Sequence, residues 1–171
     1  MKTIFVIAAM LVALTASLGC SRTNQVTYKD AVKKALAQAD LTDVTVSEDA
    51  DKNTITLGGN VHSENAKQRA GEVAQAAAGN RIVANQISVE PAGQASQARS
   101  IESNTDGAIE KNFKAALIAK GLDKQDIRYS AKNGVLTLTG TAKTSEQRQL
   151  AQQIAANIPN VSQVINEIQV R

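Results

Sequence analysis

Apolar residues follow a helical period, then a two-residue period, along this chain, and the whole cycle occurs twice. Thr27-x-x-Asp30 opens the first helical stretch, with Tyr28, Val32, Ala35, Leu36 and Ala39 on one face. Two short alternating stretches follow: Val44 and Val46, then, past a turn through Asp49–Asn53, Ile55 and Leu57. Ser63 starts a second helix whose inner face is mostly alanine: Ala66, Ala70, Val73, Ala74 and Ala77. An alternating strand, Val83–Val89, closes the unit.

The second cycle repeats the first. Asp106 is expected to cap a helix with Ile109, Phe113, Ala116 and Leu117 on its buried stripe and Gly121 at its end. Ile127 and Tyr129 lead through Lys132-Asn133-Gly134 into Val135–Leu138. Asn133-Gly134 is the strongest short hairpin signal in the chain. Thr144-Ser-Glu-Gln147 reads as a capping box before Leu150, Ile154 and Ile158, and Val164–Val170 is the closing strand. Gly59 overlies Gly140 at an offset of 81 residues. The same offset lays Val83, Asn85, Ile87 and Val89 on Val164, Asn166, Ile168 and Val170. Ahead of the first turn, which is two residues longer than the second, the offset becomes 83 (44 to 127). One offset without gaps through the last third of each unit marks a duplication.

The fold class is therefore α+β: two tandem α-β-β-α-β modules, each a three-stranded mixed sheet covered by two helices. The last strand, reached through a helix, is expected parallel to the one before it. Gly59 and Gly140 are expected to let the backbone turn sharply from strand to helix. Residues 91–104 are small, polar and without pattern, a linker by composition. If flexible, it spans about 20 Å. Modules near 65 residues have modest cores, so some docking between them is expected, through a small interface at most.

The first residues differ in kind. Lys2 precedes an unbroken apolar run from Ile4 to Leu14, and Ser17-Leu18-Gly19-Cys20 ends the segment. That layout is a secretory signal over residues 1–19, too short for a membrane span. The cysteine after a small residue resembles a bacterial lipobox, in which the thiol becomes the lipid attachment point. Cys20 is thus the expected anchor, at the head of a lipidated tether, 20–26. Ser21, where an Asp would signal inner-membrane retention, points by the same resemblance to the outer membrane. The 152 residues left after cleavage carry a net charge of +2.

Composition removes several functions. One His and one Cys in 171 residues cannot furnish a zinc site, and two Tyr, two Phe and no Trp leave little to stack on bases. No nucleic-acid partner, metal or cofactor is expected. His62 has Lys143 as its repeat counterpart, and no second His or free Cys completes a nucleophile–base pair. The acids at Asp40/Asp43 and Glu48/Asp49/Asp51 fall on a helix end and a turn, and Gly58-Gly59 lacks the rest of a phosphate loop. No enzyme is expected.

Gly134-Val-Leu-Thr-Leu-Thr-Gly140, a helix, then Val161-x-x-Val164-x-Asn166-x-Ile168-x-Val170 resembles the signature of a BON domain. Thr54–Gly59 and Val83–Val89 carry the likeness in the first copy, with Asn53 where glycine is usual. On this resemblance 27–90 is BON domain 1 and 105–171 is BON domain 2. A lipobox followed by two such modules is similar to the dual BON-domain (OsmY/DolP-like) bacterial envelope lipoproteins. The resemblance implies a periplasmic location, anchored to the outer membrane or else soluble. It also implies roles in envelope integrity and osmotic stress, and an anionic phospholipid surface as partner. The alternative it leaves open is a protein-interaction or stress-chaperone module whose partner is an envelope protein.

Charge says where a membrane would be felt. Residues 27–90 hold seven Lys/Arg against nine Asp/Glu, whereas 105–171 hold nine against six. In the first helix of the second module, at about 100° per residue, Ile118 falls opposite Ile109 and shares its outward face with Lys111 and Lys114. An exposed Ile beside two lysines suits shallow insertion between acidic head groups. Lys111, Lys114 and Ile118 are the expected phospholipid-facing residues.

Overall fold

The computed structural model describes residues 27–171, so the expected signal segment and Cys20 lie outside the described residues. The first module runs α1 (Tyr28–Gln38), β1 (Val44–Asp49), β2 (Thr54–Val61), α2 (Glu64–Ala77), β3 (Ile82–Asn85) and β4 (Ser88–Val89). The second runs α3 (Ala95–Ala119), β5 (Asp126–Lys132), β6 (Val135–Ala142), α4 (Ser145–Ala156), β7 (Gln163–Asn166) and β8 (Gln169–Val170). In each sheet the middle strand pairs antiparallel with the strand before it and parallel with the segments after the helix. The expected α+β class and order are those the chain adopts.

The closing strand of each module is broken rather than continuous. Asn85 explains why. Its Oδ1 accepts from the Ile87 amide at 3.4 Å while its Nδ2 donates to the Lys67 carbonyl at 2.8 Å. Asn166 repeats both bonds, with Ile168 and Arg148. The interruption turns Ile87 and Ile168 into the core, and each asparagine ties the broken strand to its helix.

The matched glycines differ from expectation too. Gly59 and Gly140 do not turn the chain towards a helix. They lie within β2 and β6, opposite Val44 and Ile127, with φ of +92° and +98°. A Cβ at either would strike the carbonyl of Asp43 or Asp126, so close approach of the neighbouring strand requires glycine. Asn133 (φ 50°) and Gly134 (φ 81°) form the expected two-residue hairpin turn. Asn53 (φ 56°) takes the same left-handed conformation where its counterpart is Gly134.

Each core sits between its sheet and two helices. Val32, Leu36, Ile55, Leu57 and Ile87 fill the first. Ile109, Phe113, Leu136, Leu138 and Ile168 fill the second, where Phe113 meets Tyr129 edge to face at 5.1 Å.

The expected flexible linker is largely helix. α3 begins at Ala95 and runs unbroken to Ala119, about 37 Å. Its early turns are held to the first module by side chains. Glu102 accepts from the Ser88 hydroxyl (2.6 Å) and the Val89 amide (3.0 Å), and Arg99 grips Glu90 through both Nε and Nη2. Asp106 therefore lies inside the helix and does not cap it. Its carboxylate takes the amides of Asn133 and Gly134 at 2.8 and 3.1 Å, bracing the hairpin turn.

The modules dock through their third strands. Gln163 lays its amide along β3, accepting from Asn85 N at 3.2 Å and donating to Val83 O at 2.6 Å. Ala84, Val135 and Ile165 close a small apolar contact. Lys52 pairs with Glu167 at 3.2 Å and Asn133 Nδ2 donates to Gln86 O at 2.8 Å. The repeat offset carries Lys52 onto Asn133 and Gln86 onto Glu167. Equivalent positions thus meet twice with partners exchanged, as a two-fold relation requires, once as an ion pair and once as a side-chain bond to a backbone carbonyl.

Candidate functional site

The site the sequence singles out lies on the outer face of α3. Ile109, Phe113 and Leu117 are buried at i, i+4 and i+8, which fixes what the opposite side shows. There Lys111, Lys114 and Ile118 are exposed, Ile118 by 55%. The helix ends in a Schellman motif: Leu122 N donates to Leu117 O (2.9 Å) and Gly121 N to Ile118 O (3.0 Å), with Gly121 at φ 69°. That closure seats Ile118 in the last turn. Among the described residues neither Lys111 nor Lys114 forms an ion pair, so both charges face solvent.

The first module lacks this arrangement. α1 ends in the same motif, with Leu41 N on Leu36 O and Asp40 N on Ala37 O, Asp40 taking the left-handed position. Aligned on that end, Lys33 matches Lys114, but Asp30 stands for Lys111 and Ala37 for Ile118. The apolar tip and one of the two charges belong to the second copy alone.

The other singled-out residues are structural. Gly59, Gly140, Asn133 and Gly134 shape the sheets, as above. His62 is exposed, with Nδ1 3.0 Å from the Glu90 carbonyl. A cleft of about 560 Å³ between the modules is lined by Glu90, Glu102, Asp106 and Glu110. Every one of these carboxylates is already engaged: by Arg99, by Ser88 and Val89, by Asn133 and Gly134, and by the Ala131 amide. Arg99 holds the Glu90 carboxyl below the usual carboxylate range, mainly by hydrogen bonding. Among the described residues no group of three or more His, Cys, Asp or Glu is placed to hold a metal ion. No described helix is long and apolar enough to cross a membrane. Sequence reasoning missed Gln163, Glu102 and Arg99. Each acts on a partner in the other module, which no local pattern encodes.

Two modules with one fold, each with an asparagine that breaks the last strand and a glycine pressed against the neighbouring strand, agree with the comparison to protein families, in which the BON domain matches residues 24–91 and again 105–171. The chain belongs to the BON family. BON domains are non-catalytic binding modules associated with phospholipid and the envelope. Among curated proteins none matches the chain. Two solved structures of CdsD, a structural protein of the Type III secretion system of Chlamydia trachomatis, are similar at 12% identity over 82% of this chain. They are covered over 90% and, for its C-terminal domain, 96% of their own length, with TM-scores of 0.36 and 0.35. Likeness at that level says nothing of shared function.

Proposed function

We propose that this BON protein is a lipid-anchored periplasmic envelope protein that binds anionic phospholipid without catalysis and supports envelope integrity. The observation that carries the reading is the outer face of α3, where Lys111 and Lys114 are exposed beside a 55%-exposed Ile118. Each lysine near an anionic surface contributes about 1 kcal/mol, and a single inserted isoleucine adds little more than its own transfer free energy, about 2 kcal/mol when fully buried. Such a patch orients a protein and selects lipid neighbours but does not hold it for long. Residence falls to acyl chains on Cys20, each buried CH₂ contributing about 0.8 kcal/mol.

The test is flotation of residues 21–171, which contain both modules, with vesicles containing cardiolipin or phosphatidylglycerol and with neutral vesicles. Co-flotation is expected with anionic vesicles only, and Ile118→Asp or Lys111→Glu/Lys114→Glu should weaken it. Binding indifferent to these changes refutes the site. No binding to any vesicle refutes the lipid function and leaves an envelope protein as the partner to seek by crosslinking.

A further inference from the structure

The docking of the modules decides which parts of the chain share an end of the molecule. α1 starts beside the β1–β2 turn of the first module: the Lys29 amide donates to Glu48, and Arg81 bonds the Ala50 carbonyl while lying over the Tyr28 ring at 5.2 Å. Lys52, on that same turn, reaches Glu167 and shares a cleft with Asp126, Gly140, Thr141 and Gln169. Those four residues mark the start of β5, into which α3 delivers the chain, and the neighbouring last residues of β6 and β8. The start of α1 and the Ile118 end of α3 therefore lie at one end of the two-module body. The opposite end joins Asn60, Ser88 and Glu90 of the first module to Lys132 and Asn133 of the second.

The second module's share of this end, which carries Ile118, is also basic. Lys120 follows α3, Lys124 precedes β5, Lys143 follows β6 and Arg171 follows β8, all exposed. In the second module the acids beside them are Asp123, Asp126 and Glu146, of which Asp126 is paired with Arg128, while the first module brings Asp30, Asp49 and Asp51 to the same end, with Lys52 paired to Asp49 and Glu167. The opposite end of the second module instead presents Asp106 and Glu110 beside Lys132.

We infer that the phospholipid surface is the second module's part of this end and not the flank of α3 alone: Ile118 with Lys120, Lys124 and Lys143 meets an anionic bilayer end-on, on the side where the chain enters at residue 27. The inference rests on the phospholipid reading above and extends it. Anchor and surface then engage one bilayer, and α3 stands steeply on it.

Energy transfer to an acceptor on the vesicle head groups tests this. Residues 21–171 hold no cysteine, so donors placed singly at Lys143→Cys, Lys29→Cys, Lys132→Cys and Asp40→Cys report four known heights. Lys143 and Lys132 sit at opposite ends of β6, about 25 Å apart. Transfer is expected to be high from positions 143 and 29 and low from 132 and 40 on phosphatidylglycerol vesicles. Equal transfer from 143 and 132 means the helix lies flat, and overturns the inference while leaving the phospholipid reading intact. Failure of the unlabelled chain to float overturns that reading as well. As a second measure, Lys120→Glu/Lys124→Glu/Lys143→Glu should lose about a hundredfold or more in partitioning, against little change for Lys33→Glu/Lys34→Glu. Equal losses in the two variants also overturn it.

Discussion

Three glycines separate two reasons for needing glycine. Gly107 lies inside α3 with nothing within 4 Å of where a Cβ would stand. Gly121 has φ +69° and the same open space, and Gly140 has φ +98° with the Asp126 carbonyl in the way. Alanine at 107 gains helix propensity and should stabilise by about 0.5–1 kcal/mol. Alanine at 121 meets only the unfavourable backbone conformation and should cost about 1–2 kcal/mol. At 140 the backbone cost, about 1–3 kcal/mol, is joined by displacement of β5, about 1–3 kcal/mol more as overpacking. Gly140→Ala should therefore lose about 2–6 kcal/mol. A module of this size is stable by roughly 3–10 kcal/mol, so the change leaves the second module marginal or unfolded. Urea denaturation can follow the modules separately, because Tyr28 lies in the first and Tyr129 in the second. Tyrosine emission in Tyr28→Phe and Tyr129→Phe backgrounds isolates each. The order 107 above wild type, 121 below, 140 far below is expected, with the Tyr129 transition moving most. A Gly140→Ala midpoint no lower than that of Gly121→Ala would refute the close-approach argument.

Other outcomes follow from the same contacts. Phe113→Ala should cost about 3–5 kcal/mol, seen as early loss of the Tyr129 signal, since the two rings touch edge to face. Asp106→Ala leaves the amides of Asn133 and Gly134 without their acceptor. It should cost about 1–3 kcal/mol, with faster hydrogen exchange at both. The Glu90 carboxyl is held low by Arg99; its contribution is full above the unfolded-state value and is lost as pH falls through the lowered folded value. The early turns of α3 should therefore exchange faster under acid, and Arg99→Gln should flatten that pH dependence. Gln163→Ala should raise exchange at the Asn85 amide while leaving both module cores intact.

The elements were legible because apolar spacing encodes them locally. Ile109, Phe113 and Leu117 state a helix, and Asn133-Gly134 states a turn, without reference to anything distant. The outward face of α3 followed from the same arithmetic. The first turns of α3 did not, since Ala95–Thr105 has no apolar stripe, and its docking depends on Glu102 and Arg99 meeting β4 and Glu90. Asp106 was misread for a related reason: an acid before a helical pattern looks like a cap whether it caps the helix or braces a hairpin. The glycine pair showed its position but not its purpose, because the atom that forbids a side chain belongs to another strand. The basic end of the second module was scattered across Lys120, Lys124, Lys143 and Arg171, and only the sheet gathers them.

The two-fold exchange of Lys52–Glu167 for Asn133–Gln86 has a consequence for assembly. A face that meets its own copy within one chain has no free valence left. While the modules stay docked, these strand edges are covered from within the chain and are closed to a second copy. Exposing them would require the docking to open, and that rests on a few side-chain bonds, above all the two that Gln163 makes to β3.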